Sequence, residues 1–216
     1  MAMALTASAM LPLGTPLPLE LLQAELAAGR AQQVSGSPDL GALLAVGPDA
    51  IASPLAGRPL LVLFLCAHCP FVKHIEPELA RLERDWPELQ LLAISSNSLL
   101  THPQDGPEGL RHQAAQAGWG FPYLFDAEQR LARAFRAACT PDPFLFAWDA
   151  AAAEHRLAYR GQLDASRPGS PEPCDGRDLR AALAALQAGG QPAMEQRPSI
   201  GCNIKWRPGE EPEWAR

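Results

Sequence analysis

Residues 63–79 read LFLCAHCPFVKHIEPEL, an apolar run that meets two cysteines and then a pattern with helical spacing. The Cys66-x-x-Cys69 spacing has the form of a redox pair, in which one thiolate attacks a disulfide and the second thiol releases the product. The two sulfurs are not equivalent. Pro70 follows Cys69 directly, and proline is favoured at the first position of a helix, where its missing N–H would have no partner anyway. Cys69 therefore falls at a helix N-cap, facing free backbone N–H groups and the positive end of the helix dipole, which favour thiolate over thiol. Cys66 falls at the end of the preceding strand, either as the resolving thiol or as buried core filler. The spacing predicts Cys69 as the attacking cysteine and Cys66 as the resolving candidate.

The chain has five cysteines, an odd and scattered set that excludes a disulfide scaffold. Cys202 lies in IGCNIKW, whose apolar residues predict a docked segment, and it is the alternative resolving candidate. Cys139 is a weaker candidate, because strand alternation can turn it into the core, and Cys174 lies in the loop SPEPCDG with no assigned role. His68 and Lys73 place positive charge beside Cys69 and are expected to tune its thiolate. His68, His74 and the two nearby cysteines are all zinc-ligand types, but tuning is the more ordinary role for a histidine here. The expectation is no metal and no cofactor.

These residues need a strand-to-helix turn to hold them. Residues 60–66 read as a buried strand, 70 to about 85 as a helix and 90–95 as a second strand, which makes a βαβ unit with a parallel sheet. A helix at about 107–117, a strand at 122–125 and a helix over 127–137 capped by Asp126 follow. Two strands at 143–148 and 155–160 and a helix over 175–188, stopped by Gly189-Gly190, complete the core. Residues 1–58, with proline and glycine breakers, a helical patch at 18–28 and no strong strand, read as an N-terminal arm. Residues 59–190 read as the domain, and 191–216 as an extended C-terminal docking tail.

A net charge of −6 excludes the basic surface that nucleic acid requires. No apolar run approaches the ~18 residues of a membrane span, and the N-terminus lacks a charged n-region, so a cytoplasmic protein with no membrane partner is expected.

Cys69-Pro70-Phe71-Val72-Lys73-His74-Ile75-Glu76-Pro77 resembles the thioredoxin motif C-G-P-C-K-x-x-x-P in register. The resemblance puts Cys69 at the attacking cysteine, Val72 at the second cysteine and Pro77 at the helix-kinking proline. Cys139-Thr140-Pro141-Asp142-Pro143 resembles the segment that carries a cis-proline opposite the attacking thiol, so Pro141 is expected cis and Thr140 beside the substrate. With GWGFPYLFD, RGQLDASRPG and PSIGCNIKW, the stretch from Leu60 to Trp206 is similar to the peroxiredoxin-like, or redoxin, subgroup of the thioredoxin-fold superfamily.

That resemblance implies an α/β thioredoxin-like fold, a central mixed sheet flanked by helices, with Pro70, Phe71, Thr140 and Pro141 lining a substrate groove. A true peroxiredoxin carries its peroxide-attacking cysteine where Val72 stands, with Thr or Ser where Cys69 stands, so the usual peroxidase site is missing. The expected activity is thiol-disulfide oxidoreduction on a disulfide-bearing or oxidised thiol substrate, with an electron donor left unnamed. The alternatives are a thiol peroxidase that uses Cys69, and a redox-inactive binding module with the same groove.

Overall fold

The computed structural model describes residues 5–44 and 54–215. Its centre is β3 (Leu60–Phe64), an all-apolar strand buried at every position. A strand covered on both faces needs apolar residues pointing both ways, and here the two sets part cleanly. Leu61 and Leu63 face one layer with α3 (Pro70–Asp85), α4 (Pro107–Ala117) and α6 (Arg177–Gln187). Leu60, Val62 and Phe64 face the other, with α1 (Leu19–Ala27), α2 (Leu40–Leu43) and α5 (Arg130–Phe135).

The sheet has six strands. β3 pairs in parallel with β4 (Gln90–Ser95), which pairs in parallel with β5 (Tyr123–Asp126). On its other side β3 pairs antiparallel with β7 (Asp142–Asp149), which forms a hairpin with β8 (Glu154–Tyr159). β2 (Ala31–Ser35) closes the far edge against β5, giving the order β2-β5-β4-β3-β7-β8. A second, three-stranded sheet joins both ends of the chain to the loop before β7, in the order β1 (Leu5–Ala7), β9 (Ile200–Asn203), β6 (Cys139–Thr140). The mixed central sheet with helices on both faces and the β3–α3–β4 unit at its heart is a thioredoxin-like fold. Among the described residues no helix is long and apolar enough to cross a membrane.

Two local expectations differ from the structure. Residues 1–58 contain strands β1 and β2, which the sequence reading omits. β2, AQQVS, buries only Ala31 and Val34, and its two glutamines hide the pattern, so pairing with β5 rather than its own composition makes it a strand. The helix expected over 127–137 spans only Arg130–Phe135. Asp126 still caps it, across a turn, accepting from the N–H of Arg130 at 3.2 Å and of Ala132 at 3.1 Å.

Phe64 is held edge-on by Phe135 and Phe144, with ring centroids 5.4 and 5.9 Å away. Phe64→Ala is expected to lower stability by about 3–5 kcal/mol, because a fully buried ring leaves a cavity that a strand at the sheet centre cannot collapse to fill. Denaturant unfolding measures it; a loss below about 1 kcal/mol would mean that the layer repacks.

Candidate active site

β3 stops at Phe64, and the chain turns through residues 65–69 into α3. Cys69 is the N-cap residue, with extended backbone angles, and Pro70 occupies the first helical turn. Pro77 sits inside the same helix. The Cys69 thiol is buried and donates to the Thr140 carbonyl at 3.3 Å. Its pKa is drawn down to about 5. The largest cause is a hydrogen bond from the Cys66 thiol; burial opposes it, and the Cys202 thiol, the Val72 backbone N–H and the Thr140 hydroxyl add to it. The helix end therefore contributes through one N–H, while the neighbouring thiols contribute more.

Those neighbours move the opposite way. Cys66 is pushed well above the ordinary thiol value by its bond to Cys69, by burial and by the charge of Asp105. Cys202 is pushed up to about 12, by burial first and by Cys69 next. The three sulfurs titrate as one unit, and the first proton leaves Cys69 because the other two stay protonated as donors.

The C-terminal segment brings Cys202 to this place. β9 pairs with β6 so that Cys202 is opposite Thr140 and Asn203 opposite Cys139. The Thr140–Pro141 peptide is cis, and the Thr140 hydroxyl lies 3.4 Å from the Cys66 sulfur. Gly201 permits the close approach: a Cβ there would stand 2.1 Å from the Thr140 carbonyl oxygen and 3.2 Å from the Pro141 ring. Gly201→Ala is expected to push back the carbonyl that faces Cys69, to cost about 1–3 kcal/mol of stability by overpacking, and to alter the pH dependence of Cys69 alkylation. An unchanged alkylation profile would show that the carbonyl has not moved.

His68 turns to Asp105, with Nδ1 2.6 Å from Oδ2, and its ring stacks on His102 at 4.7 Å between centroids. Asp105 is fully buried at the end of a short 3-10 turn, Pro103–Asp105. One of its oxygens accepts from the N–H groups of Ala67, at 2.9 Å, and His68, at 3.2 Å; the other accepts from Asn97 Nδ2 at 2.7 Å. Four donors on one carboxylate fix the loop between β3 and α3, and His68 helps hold its carboxyl below the usual carboxylate range despite burial. The loop is held from below as well, by Gln113 Nε2, which donates to the Cys66 carbonyl at 3.2 Å and to Glu76 at 2.8 Å.

The remaining expected site residues scatter in role. Lys73 pairs with Glu76 at 2.9 Å on the outer face of α3. Neither Lys73 nor His68 is among the groups acting most strongly on Cys69. Phe71 and Pro141 line a narrow groove with Leu163, Arg167 and Ile200, and Pro70 is half-buried at the helix start beside it. His74 is bound to the Ser166 hydroxyl at 2.8 Å. Cys139 points its thiol toward the carbonyls of Pro141 and Ser199 and is pushed well above the ordinary thiol value by burial. Cys174 is half-buried, with its pKa also raised by burial.

Sequence reasoning missed Asp105, Asn97 and Gln113. In THPQDGPEG, Asp105 reads as a turn residue before Gly-Pro, and no local pattern ties it to a loop so far back along the chain. Gln113, a residue type ordinarily solvated on helices, lies on the buried face of α4 with Leu110 and Ala114. Cys66, His68 and Asp105 also bring a thiol, an imidazole nitrogen and a carboxylate oxygen within 4.8 Å of one another.

A thioredoxin-like fold whose β3–α3 turn presents an acidic cysteine at the helix N-cap position, among further thiols, defines the class of this protein. Two solved structures match it along nearly the whole chain. An uncharacterised conserved protein of Geobacillus kaustophilus is 34% identical over 97% of this chain and 100% of that one, with a TM-score of 0.76. A hypothetical protein of Sinorhizobium meliloti is 35% identical over 94% of this chain and 100% of that one, with a TM-score of 0.75. The chain belongs to the family of these two bacterial proteins. A secreted Mycobacterium tuberculosis disulfide oxidoreductase homologous to E. coli DsbE is 18% identical over 71% of this chain and 93% of that one, with a TM-score of 0.48. No protein-family model and no curated protein matches the sequence.

Proposed function

We propose that the protein is a thiol-disulfide oxidoreductase of the redoxin type, with Cys69 as its attacking thiolate. The observation that carries this reading is a thiol at a helix N-cap drawn down to about 5 between two other thiols that donate to it. At neutral pH Cys69 is then ionised and nucleophilic, while a partner thiol waits within reach. The thiolate attacks one sulfur of a substrate disulfide; the other substrate sulfur leaves as a thiolate and takes a proton from solvent. A second cysteine of the cluster then loses its proton, attacks the Cys69 sulfur and releases the bound substrate half as a thiolate. The substrate gains two electrons and the protein is left with an internal disulfide, which an external dithiol reduces. Phe71 and Pro141, which line the narrow groove, are the surface for an extended thiol or disulfide segment. Thr140, expected beside the substrate, is buried and acts instead through its carbonyl and hydroxyl, which face Cys69 and Cys66.

Mixing the reduced protein with an aromatic disulfide tests the reading. One protein is expected to release two equivalents of the coloured thiolate, the first from attack and the second from resolution, and Cys69→Ser is expected to lose the fast phase entirely. A Cys69→Ser variant that reacts as fast as the parent would leave the redox-inactive binding module as the better reading.

A further inference from the structure

We infer that Cys66, His68 and Asp105 form a zinc-binding site next to the attacking cysteine. The three donor atoms come from two separate segments, the loop before α3 and the turn Pro103–Asp105, and lie within 4.8 Å of one another. Thiolate, imidazole and carboxylate are the ligand types that zinc takes, and the thiolate argues against magnesium or calcium. Bonds of about 2.0–2.3 Å in a tetrahedron put donor atoms roughly 3.3–3.6 Å apart. The His68–Asp105 contact, at 2.6 Å, would open by less than about 1 Å, and the sulfur, within 4.8 Å of both, would close by at most about 1.3 Å.

The surroundings fit such a site. Asp105 keeps three other donors, from Ala67, His68 and Asn97, when the His68 ring exchanges its hydrogen bond for a metal bond, so the carboxylate is already oriented. Cys66 and Asp105 are fully buried, whereas the His68 side chain is 25% exposed and stacks on the ring of His102. A buried carboxylate beside a thiolate repels it, and a dication removes that repulsion. This ligand set differs from the histidine and cysteine grouping visible in the sequence. His74 is taken by Ser166, and Asp105 stands in its place.

Cys69 lies outside the three-ligand set. Zinc takes Cys66 as a thiolate, with its proton released to solvent, so the Cys69 sulfur stays outside the metal site but exchanges the Cys66 donor for the field of the dication, keeping its donors from Cys202, Val72 and Thr140. A metal-bound Cys66 cannot bridge to Cys69, so resolution passes to Cys202, and a Cys66–Cys69 disulfide in turn excludes the metal. This consequence rests on the proposed oxidoreductase reading; the metal site does not.

Titrating zinc into the reduced, metal-free full chain against a chromophoric chelator is expected to give one bound equivalent. His68→Ala and Asp105→Asn should each weaken it tenfold or more, and Cys202→Ser should leave it unchanged. Cobalt(II) in the same site should show thiolate charge-transfer absorption that is lost in Cys66→Ser. His68→Ala leaves the Asp105 contacts to the loop backbone in place, so it remains a fair test even if Asp105→Asn fails to fold. No bound equivalent, or binding insensitive to His68→Ala and lost only when Cys69 and Cys202 are both replaced, overturns the site. In a second arm, oxidation with diamide is followed by peptide mapping with and without zinc. A shift from a Cys66–Cys69 to a Cys69–Cys202 bridge supports the consequence; an unchanged Cys66–Cys69 bridge with zinc released on oxidation overturns the consequence while the metal site stands, and zinc still bound beside that bridge overturns Cys66 as a ligand.

Discussion

At pH 6, Cys69 is expected to alkylate about ten- to twentyfold faster than an ordinary thiol in the same chain. With a pKa of about 5 against an ordinary value of 9.0, its thiolate fraction is greater by roughly three orders of magnitude. Part of that advantage is lost, because a more acidic thiolate is a weaker nucleophile, by about 40- to 100-fold over that interval. The net excess is still large enough for a rate–pH profile with resolution by residue to read it. Cys174, half-buried and not part of the cluster, is the internal reference, and because burial raises its own pKa the ratio against it should be larger still. A Cys69 profile with its midpoint near 9, or a rate below that of Cys174 at pH 6, removes the basis of the proposed function.

The same shift sets a stability profile. The Cys69 pKa in the folded protein lies below its unfolded value, so the contribution is complete above pH ~9 and is lost as pH falls toward 5. Cys66 and Cys202 carry the opposite sign: raised thiols cost stability above pH ~9, where the unfolded chain ionises and the folded cluster does not. The difference in unfolding free energy between the reduced parent and Cys69→Ser should therefore grow from pH 5 to 9. Parallel curves across that window would mean that the thiolate is not stabilised by the fold.

What the sequence made legible, and what it hid, follows from the range of each interaction. β3, α3 and β4 are self-declaring, because a continuous apolar run, a proline at a helix start and a Leu- and Ile-rich strand are local signals. Cys69 as the N-cap is local too. The cluster around it is not. Cys202 reaches Cys69 because β9 pairs with β6 in a register that Gly201 permits, and no window of neighbouring residues contains that pairing. Asp105 is more hidden still: a solvent-type residue in a turn-type context, made a buried anchor by the backbone of a loop that precedes it by two secondary-structure elements. The ordering of causes at Cys69 was also beyond reach. Helix position argues for the dipole and for His68, yet the stronger hydrogen bonds come from thiols, and the His68 ring is bound to a carboxylate.

The oxidised protein is expected to carry a Cys66–Cys69 disulfide in preference to Cys69–Cys202. Both candidates donate to the Cys69 sulfur, but the bond from Cys66 is the largest single influence on it, and the two residues share one short, firmly tied loop. Both sulfurs face Thr140, Cys66 its hydroxyl and Cys69 its carbonyl, so the two residues need only a local adjustment of one turn to reach disulfide geometry. Cys202 pays more, since drawing it to Cys69 pulls on a strand paired on both sides, to β1 and to β6. Non-reducing digestion and mass mapping reads the outcome. Cys202→Ser should leave the bridge and the release of substrate nearly unaffected. Cys66→Ser should divert the bridge to Cys202 and slow resolution by at least tenfold, and the double variant should stall as a mixed disulfide on Cys69 that survives until an external thiol removes it. A parent protein bridged Cys69–Cys202, with Cys66→Ser indistinguishable from it, would move the resolving role to the C-terminal strand. The buried thiol at the end of β3 would then serve as the hydrogen-bond donor that makes Cys69 acidic, which Cys66→Ala would reveal as a rise in the pKa of Cys69 without loss of the bridge.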